Sequence, residues 1–251
     1  MKVEKNEDGS YKILVSFLPR KPGETGRRYT TLVAKAGNVK APLKVYESIS
    51  FLVIIDNGKK ILYEYETNRN YNSIDSGFLK NCYLVLDKLY EGAGNIIIGD
   101  KKVNIVREVI KNIYREVYIK RLPDFSSSVY NPDLHTIFFN PNIGISFHLE
   151  IQDGVLSKEM GYNSPVAIFG HEMIHVYNDL LDHENYLLRK EKQYMINKHD
   201  PSKLPFNDGF PNEEEVYTTD LSNQINENLN ETKRNNYSAN DIKVSDVFSI
   251  K

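Results

Sequence analysis

The sequence predicts an α+β fold with a small mixed sheet, a helix that backs it, and a further helix carrying the chemistry. Three observations carry this expectation. Short runs of β-branched and aromatic residues, bounded by Gly, Pro, Asn and Asp, are spread along the first 150 residues. Residues 103–120 repeat Val106, Val109, Ile110, Ile113, Tyr114 and Val117 at helical spacing. Beyond Ser164-Pro165 comes the dense apolar series Val166, Ile168, Phe169, Met173, Ile174, Val176, Leu180 and Leu181, which describes a mostly buried helix.

Taken in order, residues 11–17 and 49–55 read as strands, separated by a Pro/Gly/Arg-rich loop at 19–28. Residues 61–65 pair back onto the second strand across Asp56-Asn57-Gly58, because Asn-Gly tolerates the positive φ angles of a tight hairpin turn. Residues 78–89 are helical, and Asn95–Ile98 follows the Gly92-Ala93-Gly94 break as a strand. The amphipathic helix at 103–120 comes next. Strands follow at 135–139, ended by Asn140-Pro141-Asn142, and at 145–149. Ser164 then supplies an N-cap hydroxyl and Pro165 a first helical residue whose missing N–H costs nothing. The last forty residues are rich in Asn and acidic residues, with weak periodicity, so short helices and a mobile end are expected. The expected division is a β-rich portion at 1–100, joined to or part of the same domain as a core at 101–251 with a polar C-terminal segment.

On the buried helix, His171-Glu172-Met173-Ile174-His175 is an HExxH motif. Residues i and i+4 share a helix face, so the two imidazoles can close on one Zn²⁺ while Glu172 reaches the water that completes the site. A lone helical histidine is usually an ordinary polar residue. Two at zinc spacing around a glutamate, on a capped and buried helix, point to a metal. Gly170 weakens the helix slightly and is expected to leave room beside the ion. One catalytic Zn²⁺ is therefore the expected cofactor, and a zinc-dependent hydrolase, proteases foremost, the expected class. The order of amphipathic helix, strands, metal helix and a later helix with further ligands is that of the zincin architecture. In it an edge strand, here 135–139 or its neighbour, lies beside the cleft and can hold an extended peptide by main-chain hydrogen bonds.

A catalytic zinc keeps three protein ligands and one exchangeable water. In metzincins the third ligand is a histidine six residues after the second, preceded by a glycine. Leu181 and Asn178 stand at those positions, which removes that subclass. His183 would lie about 12 Å beyond His175 on a continuing helix, out of reach of the same ion. Asp179, one turn after His175, is either a partner that orients its imidazole or an exposed carboxylate. Further on, Asn212 after Pro211 makes an N-cap, and Glu213, Glu214 and Glu215 suit the positive end of the helix dipole. Such a run is ordinarily a solvated helix start. Downstream of HExxH, one of these glutamates is expected to ligate the metal with a neighbour supporting it, and composition does not choose between them.

From Ser164 onward the chain resembles the NleD-type effector zinc metalloproteases that bacteria inject into host cells, and more remotely the light chains of clostridial neurotoxins. Those families follow HExxH with a Glu-Glu-x-x-Thr segment, which Glu214-Glu215-Val216-Tyr217-Thr218 matches. The resemblance implies Glu215 as the third ligand and Glu214 as its supporting neighbour. Where the families continue with an apolar residue and glycine, this chain has Thr219 and Asp220. Glu227-Asn228 followed by Arg234-Asn235-Asn236-Tyr237 is similar to the Arg-x-x-Tyr pair of the toxins and the basic, aromatic ending of the effectors. By that likeness Arg234 and Tyr237 flank the zinc, where a guanidinium and a phenol can stabilise a tetrahedral oxyanion. The implied activity is zinc-dependent endopeptidase, acting on an extended segment of a host intracellular protein, for example the activation loop of a MAP kinase. The implied route is secretion without a signal peptide and action in the host cytoplasm.

Composition narrows the alternatives. A length of 251 residues allows one large domain or a small one attached to a larger. The net charge of −2, from 32 basic and 34 acidic residues, provides no broad field for nucleic acid or an anionic membrane. Cys82 is the single cysteine, which excludes an internal disulfide and fits a reducing compartment. The longest apolar run, 49–55, is too short to span a bilayer, and the first residues contain no signal-peptide core. No nucleic-acid or membrane partner is expected, and a monomer is. Two other readings compete: a catalytically silent interaction module on the same scaffold, against which the intact Glu172 argues, and a processing peptidase in the cytoplasm of the producing bacterium.

Overall fold

The computed structural model describes residues 2–5, 11–14, 29–36, 39–46, 52–111, 115–123, 125–152, 155–193, 210–235, 237 and 239–250. Two compact units form, Met1–Ile49 and Ser50–Lys251. In the first, β1 (Lys2–Lys5) pairs antiparallel with β2 (Tyr11–Leu14), and β3 (Tyr29–Ala36) with β4 (Val39–Tyr46). The strand expected at 11–17 begins as β2; its remainder and the loop at 19–28 lie outside the described residues. The β3–β4 hairpin escapes sequence reading because Pro42 and three lysines interrupt its pattern, and proline demotes a strand to an edge.

The larger unit is α+β. β5 (Leu52–Asp56) turns into β6 (Lys59–Leu62) through Asn57 and Gly58, at φ of 48° and 77°, the two-residue turn that Asn-Gly permits. Ser76 caps α1 (Gly77–Lys88), which buries Phe78, Cys82, Val85 and Leu86. A small hairpin, β7 (Asn95–Ile98) with β8 (Lys101–Asn104), leads into α2 (Ile105–Lys111). β9 (Val117–Arg121), β10 (Val129–Asn131) and β11 (Thr136–Phe139) complete a five-stranded sheet of order β10-β11-β9-β5-β6. The sheet is mixed: β5, β9 and β11 run parallel at its centre, and both edges are antiparallel. Residues 50–100 thus share one unit with the rest, since β5 pairs directly with β9.

The helix expected over 103–120 is corrected. Among the described residues the helical part is α2, 105–111; 101–104 is β8, 117–121 is the central strand β9, and 112–114 lie outside the described residues. Val117 and Ile119 are buried at alternate positions while Tyr118 and Lys120 are half-buried, which is a pleat period rather than a helical one. A place between two parallel neighbours rewards those β-branched residues more than a continued helix would. A helix that packs on the sheet is α1, which meets β5 and sets Phe78 6.2 Å from Phe139 of β11, ring centre to ring centre.

A second sheet joins β12 (Ile143–Gln152), β13 (Val155–Asn163) and β14 (Asn240–Lys243) in the order β13-β12-β14. The strand expected at 145–149 lies within β12. The helices α3 (Pro165–Leu181), α4 (His183–Glu191) and α5 (Glu213–Asn228) close the unit. α3 runs through the core, its Phe169 edge-on to Phe139 at 5.0 Å. Instead of short helices, the C-terminal region forms the 16-residue α5 and then β14. Among the described residues, no helix is long and apolar enough to cross a membrane.

The β12–β13 pairing depends on the absence of a side chain at Gly161. A Cβ there would stand 2.7 Å from Phe147 Cζ and 2.8 Å from Thr232 Cγ2. Phe147 is itself a core residue. Gly161→Ala is expected to lower stability by about 1–3 kcal/mol through overpacking. A urea unfolding midpoint equal to that of the unsubstituted chain would show that Phe147 gives way freely.

Candidate metal centre

Two capped helices build the site. Ser164, in extended conformation, accepts from the Ala167 N–H at 3.4 Å and starts α3. Its own N–H and hydroxyl donate to Glu231 at 2.8 Å and 2.5 Å, so a carboxylate unremarked in the sequence clamps the helix entry. Asn212 accepts from the Glu215 N–H at 3.0 Å and starts α5. α3 and α5 pack against one another, and Gly170 is the reason they come so close. A Cβ at Gly170 would lie 3.0 Å from Ile225 Cδ1, so the space serves Ile225 of α5 and not the ion, which corrects the expectation.

This packing brings Glu215 over the HExxH face. Its Oε2 lies 3.4 Å from His171 Nε2 and 3.3 Å from His175 Nε2. The three side chains form a group that could hold a metal ion. The distances are informative. An N–H···O hydrogen bond prefers about 2.7–3.2 Å. Ligands bound at about 2.0–2.1 Å around a tetrahedral ion stand about 3.3–3.4 Å apart, the edge of that tetrahedron. The spacing is thus compatible with a donor set that could hold a metal ion.

Both rings are turned for this purpose from behind. His171 Nδ1 is 3.2 Å from Ser222 Oγ, and Ser222 donates its own proton to Thr219 O at 3.0 Å. Ser222 must then accept from Nδ1–H, leaving Nε2 with a lone pair toward Glu215. His175 Nδ1 faces Glu214 Oε1 at 3.2 Å; a carboxylate only accepts, so this ring too carries a proton on Nδ1. Glu214, 1% exposed, also accepts from Asn178 Nδ2 at 2.8 Å, Thr218 Oγ1 at 2.9 Å and Arg189 Nε at 2.6 Å. Asp179 does not orient His175: its carboxylate accepts from Tyr130 and His183 instead.

Electrostatics follow from burial. Dehydration drives the His171 pKa down to about 4. It opposes charge on His175 as well, but hydrogen bonds to Glu214 and Glu215 outweigh it and raise that pKa to about 10, so without a cation this ring holds a proton on both nitrogens at neutral pH. Glu215 is held well below the usual carboxylate range, because its bonds to the two imidazoles overcome the penalty of burial. Glu172 is pushed up to about 7 by burial, with Glu215 adding to the effect. Its Oε2 accepts from the Tyr130 N–H at 2.7 Å.

Arg234 and Tyr237 line the same cavity as this group. Burial, with the nearby Glu215 and Glu172 carboxylates, raises the Tyr237 pKa. Arg234 donates from Nη2 to Tyr237 O at 2.9 Å, while its buried Nε has no hydrogen-bond partner among the described residues. Burial lowers its pKa. With His171, Glu172, His175 and Glu215, both border one cavity of about 510 Å³, walled on one side by β10 and on another by Asn240 and Asp241 of β14. The edge strand beside the cleft is thus β10, the neighbour of β11, which is itself internal. Thr219 and Asp220 continue α5 unbroken.

Sequence reasoning missed Arg189, Thr218, Ser222 and Glu231. Thr218 and Ser222 were within reach of it, because they lie four and eight residues after Glu214 on one helix face. Arg189 and Glu231 gave no local signal. Comparison of the chain with family models, curated proteins and solved structures finds no match.

Proposed function

We propose that this chain is a zinc-dependent endopeptidase of zincin type. The observation that carries the proposal is the convergence of His171, His175 and Glu215 at tetrahedral spacing, with Glu172 in the same cavity. A zinc ion held by these three would supply a Lewis acid for the scissile carbonyl and acidify a water at neutral pH.

The chain's own groups do the rest. Glu172, whose affinity for a proton burial has raised toward neutrality, takes one from the attacking water and returns it to the leaving amine. Arg234, with an unpaired Nε, and Tyr237 face the negative charge that develops on the carbonyl oxygen. Ser222 and Glu214 hold the imidazoles in one tautomer and orientation. β10 is an edge strand that borders the cavity, beside which an extended substrate segment would lie. The likeness of residues 164–237 to injected effector proteases favours a host intracellular protein as substrate, reached through a secretion route that uses no signal peptide.

Protein purified without chelator should carry one zinc per chain by elemental analysis. Added to a eukaryotic cell lysate, it should generate a small set of new N-termini that a chelator suppresses. Zinc without new termini would leave the silent interaction module as the better reading. Protein that takes up no zinc would remove the metal reading itself.

A further inference from the structure

Tyr130, on the edge strand β10, touches the metal helix α3 at two points. Its N–H donates to Glu172 Oε2 and its hydroxyl to Asp179 Oδ2, each at 2.7 Å and both buried. Glu172 and Asp179 are seven residues apart, two turns along one helix face. The backbone bond also says where the strand's outer edge lies. Tyr130 pairs with Ile137 of β11, yet its N–H goes to Glu172, so it points away from β11. That outward N–H is a donor that an edge strand has free, and here it grips the carboxylate.

Asp179 is in turn fixed. It is 3% exposed and meets His183 Nδ1 at 2.9 Å through Oδ1, just past the chain bend at Asp182 that separates α3 from α4. His135, in the β10–β11 turn, stands 3.5 Å from both the Tyr130 hydroxyl and Asp179 Oδ2 and is braced by Arg115 Nη1 at 3.2 Å. None of these hydrogen bonds ends on a candidate metal ligand.

We propose that Tyr130 is a positioning residue, which couples Asp179 to Glu172 and so sets the direction of the base and the width of the cleft together. The inference deepens the endopeptidase reading and rests on it only for what the positioning serves. Without the phenol–Asp179 bond, β10 is held to α3 at one point, and the Tyr130 N–H meets Glu172 only intermittently. The base then loses its orientation, whereas β10's backbone remains available to a substrate.

The full chain, labelled at tyrosine nitrogen, tests this through hydrogen exchange of the Tyr130 amide. Tyr130→Phe keeps the ring and its packing, and Asp179→Ala removes the acceptor; each should speed exchange of the residue-130 amide about tenfold, the weight of one hydrogen bond. Asp179→Asn keeps an accepting oxygen and should stay near the original rate. The Tyr118 amide of β9 should not change, which separates a local release from general destabilisation. With a peptide spanning a cleavage site found in lysate, Tyr130→Phe and Asp179→Ala should lower kcat about tenfold at nearly constant KM, and Asp179→Asn should restore it. Unchanged exchange at residue 130, a uniform rise that includes β9, or an unaltered kcat despite faster local exchange would each overturn the coupling. A chain that cleaves nothing would refute the endopeptidase reading, and the exchange measurements would still decide the coupling on their own.

Discussion

Glu172→Gln is expected to abolish most turnover, by about 10²–10⁴-fold, while zinc content and fold stay as they are. The argument rests on what glutamine keeps. It has the shape of glutamate, and its amide oxygen can still accept from the Tyr130 N–H, so the hydrogen bond that fixes the side chain survives. It is not one of the three groups placed to hold the ion. What it lacks is a site for a proton in transit. Removing this carboxylate also removes a charge that burial disfavours, so stability should not fall. Elemental analysis, a thermal melt and the count of new N-termini in lysate read the three quantities separately. Full cleavage by the purified variant would show that another group moves the proton. Loss of zinc along with cleavage would show that Glu172 belongs to the ion's own shell.

The same buried helix shows why so much of the site was legible. Ser164, Pro165 and the apolar series define α3 by local chemistry alone, and helical geometry then puts His171 and His175 together whatever the rest of the chain does. Glu215 was legible only through a motif likeness, because its position depends on α5 packing over α3. α5 hid its nature. The residues it buries include Glu214, Thr218, Ser222 and Asn226, an unbroken i, i+4 stripe, but a polar one. A search for apolar periodicity passes over such a face, although its members are satisfied by the histidines and by Asn178, Arg189 and Asn223 across or along the helix. The error at 103–120 has the opposite cause. Val106, Val109 and Ile110 belong to a helix, and the apolar residues after them happen to fall in phase with it. Tertiary pairing decided in favour of β9, since a central strand between β5 and β11 needs Val117 and Ile119 on one face.

Sequence-distant partners form the layer that no local pattern could reveal. Arg189 comes from α4, Glu231 from the segment after α5, and Tyr130 from a three-residue strand, and each reaches a residue that local reasoning had already marked. The cavity is thus built from two kinds of residue. Some present donor atoms to the cavity; others, contributed by remote segments, fix the directions of those atoms.

Glu214 and Glu215 are neighbours of one residue type, and their replacement should fail in different ways. Glu215→Ala is expected to reduce bound zinc to far below one per chain, since only two of three donors remain. In chelator its melting temperature should fall only modestly, because what is lost there are two long contacts between α5 and α3, at 3.4 Å to His171 Nε2 and 3.3 Å to His175 Nε2. What disappears is the stabilisation by zinc, about 4 kcal/mol when free ligand exceeds the dissociation constant a thousandfold. Glu214→Ala should instead lower stability with or without zinc. It leaves the Arg189 guanidinium, 13% exposed, without its carboxylate on that side and takes an acceptor from His175 Nδ1 and Asn178. Breaking a buried pair by removing one partner costs about 3–5 kcal/mol. Zinc affinity should fall by about 10–100-fold as His175 loses its orientation, a weaker effect than loss of the donor itself. Paired thermal melts in zinc and in chelator separate the two outcomes. If Glu215→Ala still bound one zinc per chain and Glu214→Ala bound none, the donor would be Glu214, and the 3.3–3.4 Å spacing around Glu215 would be a feature of the metal-free packing alone.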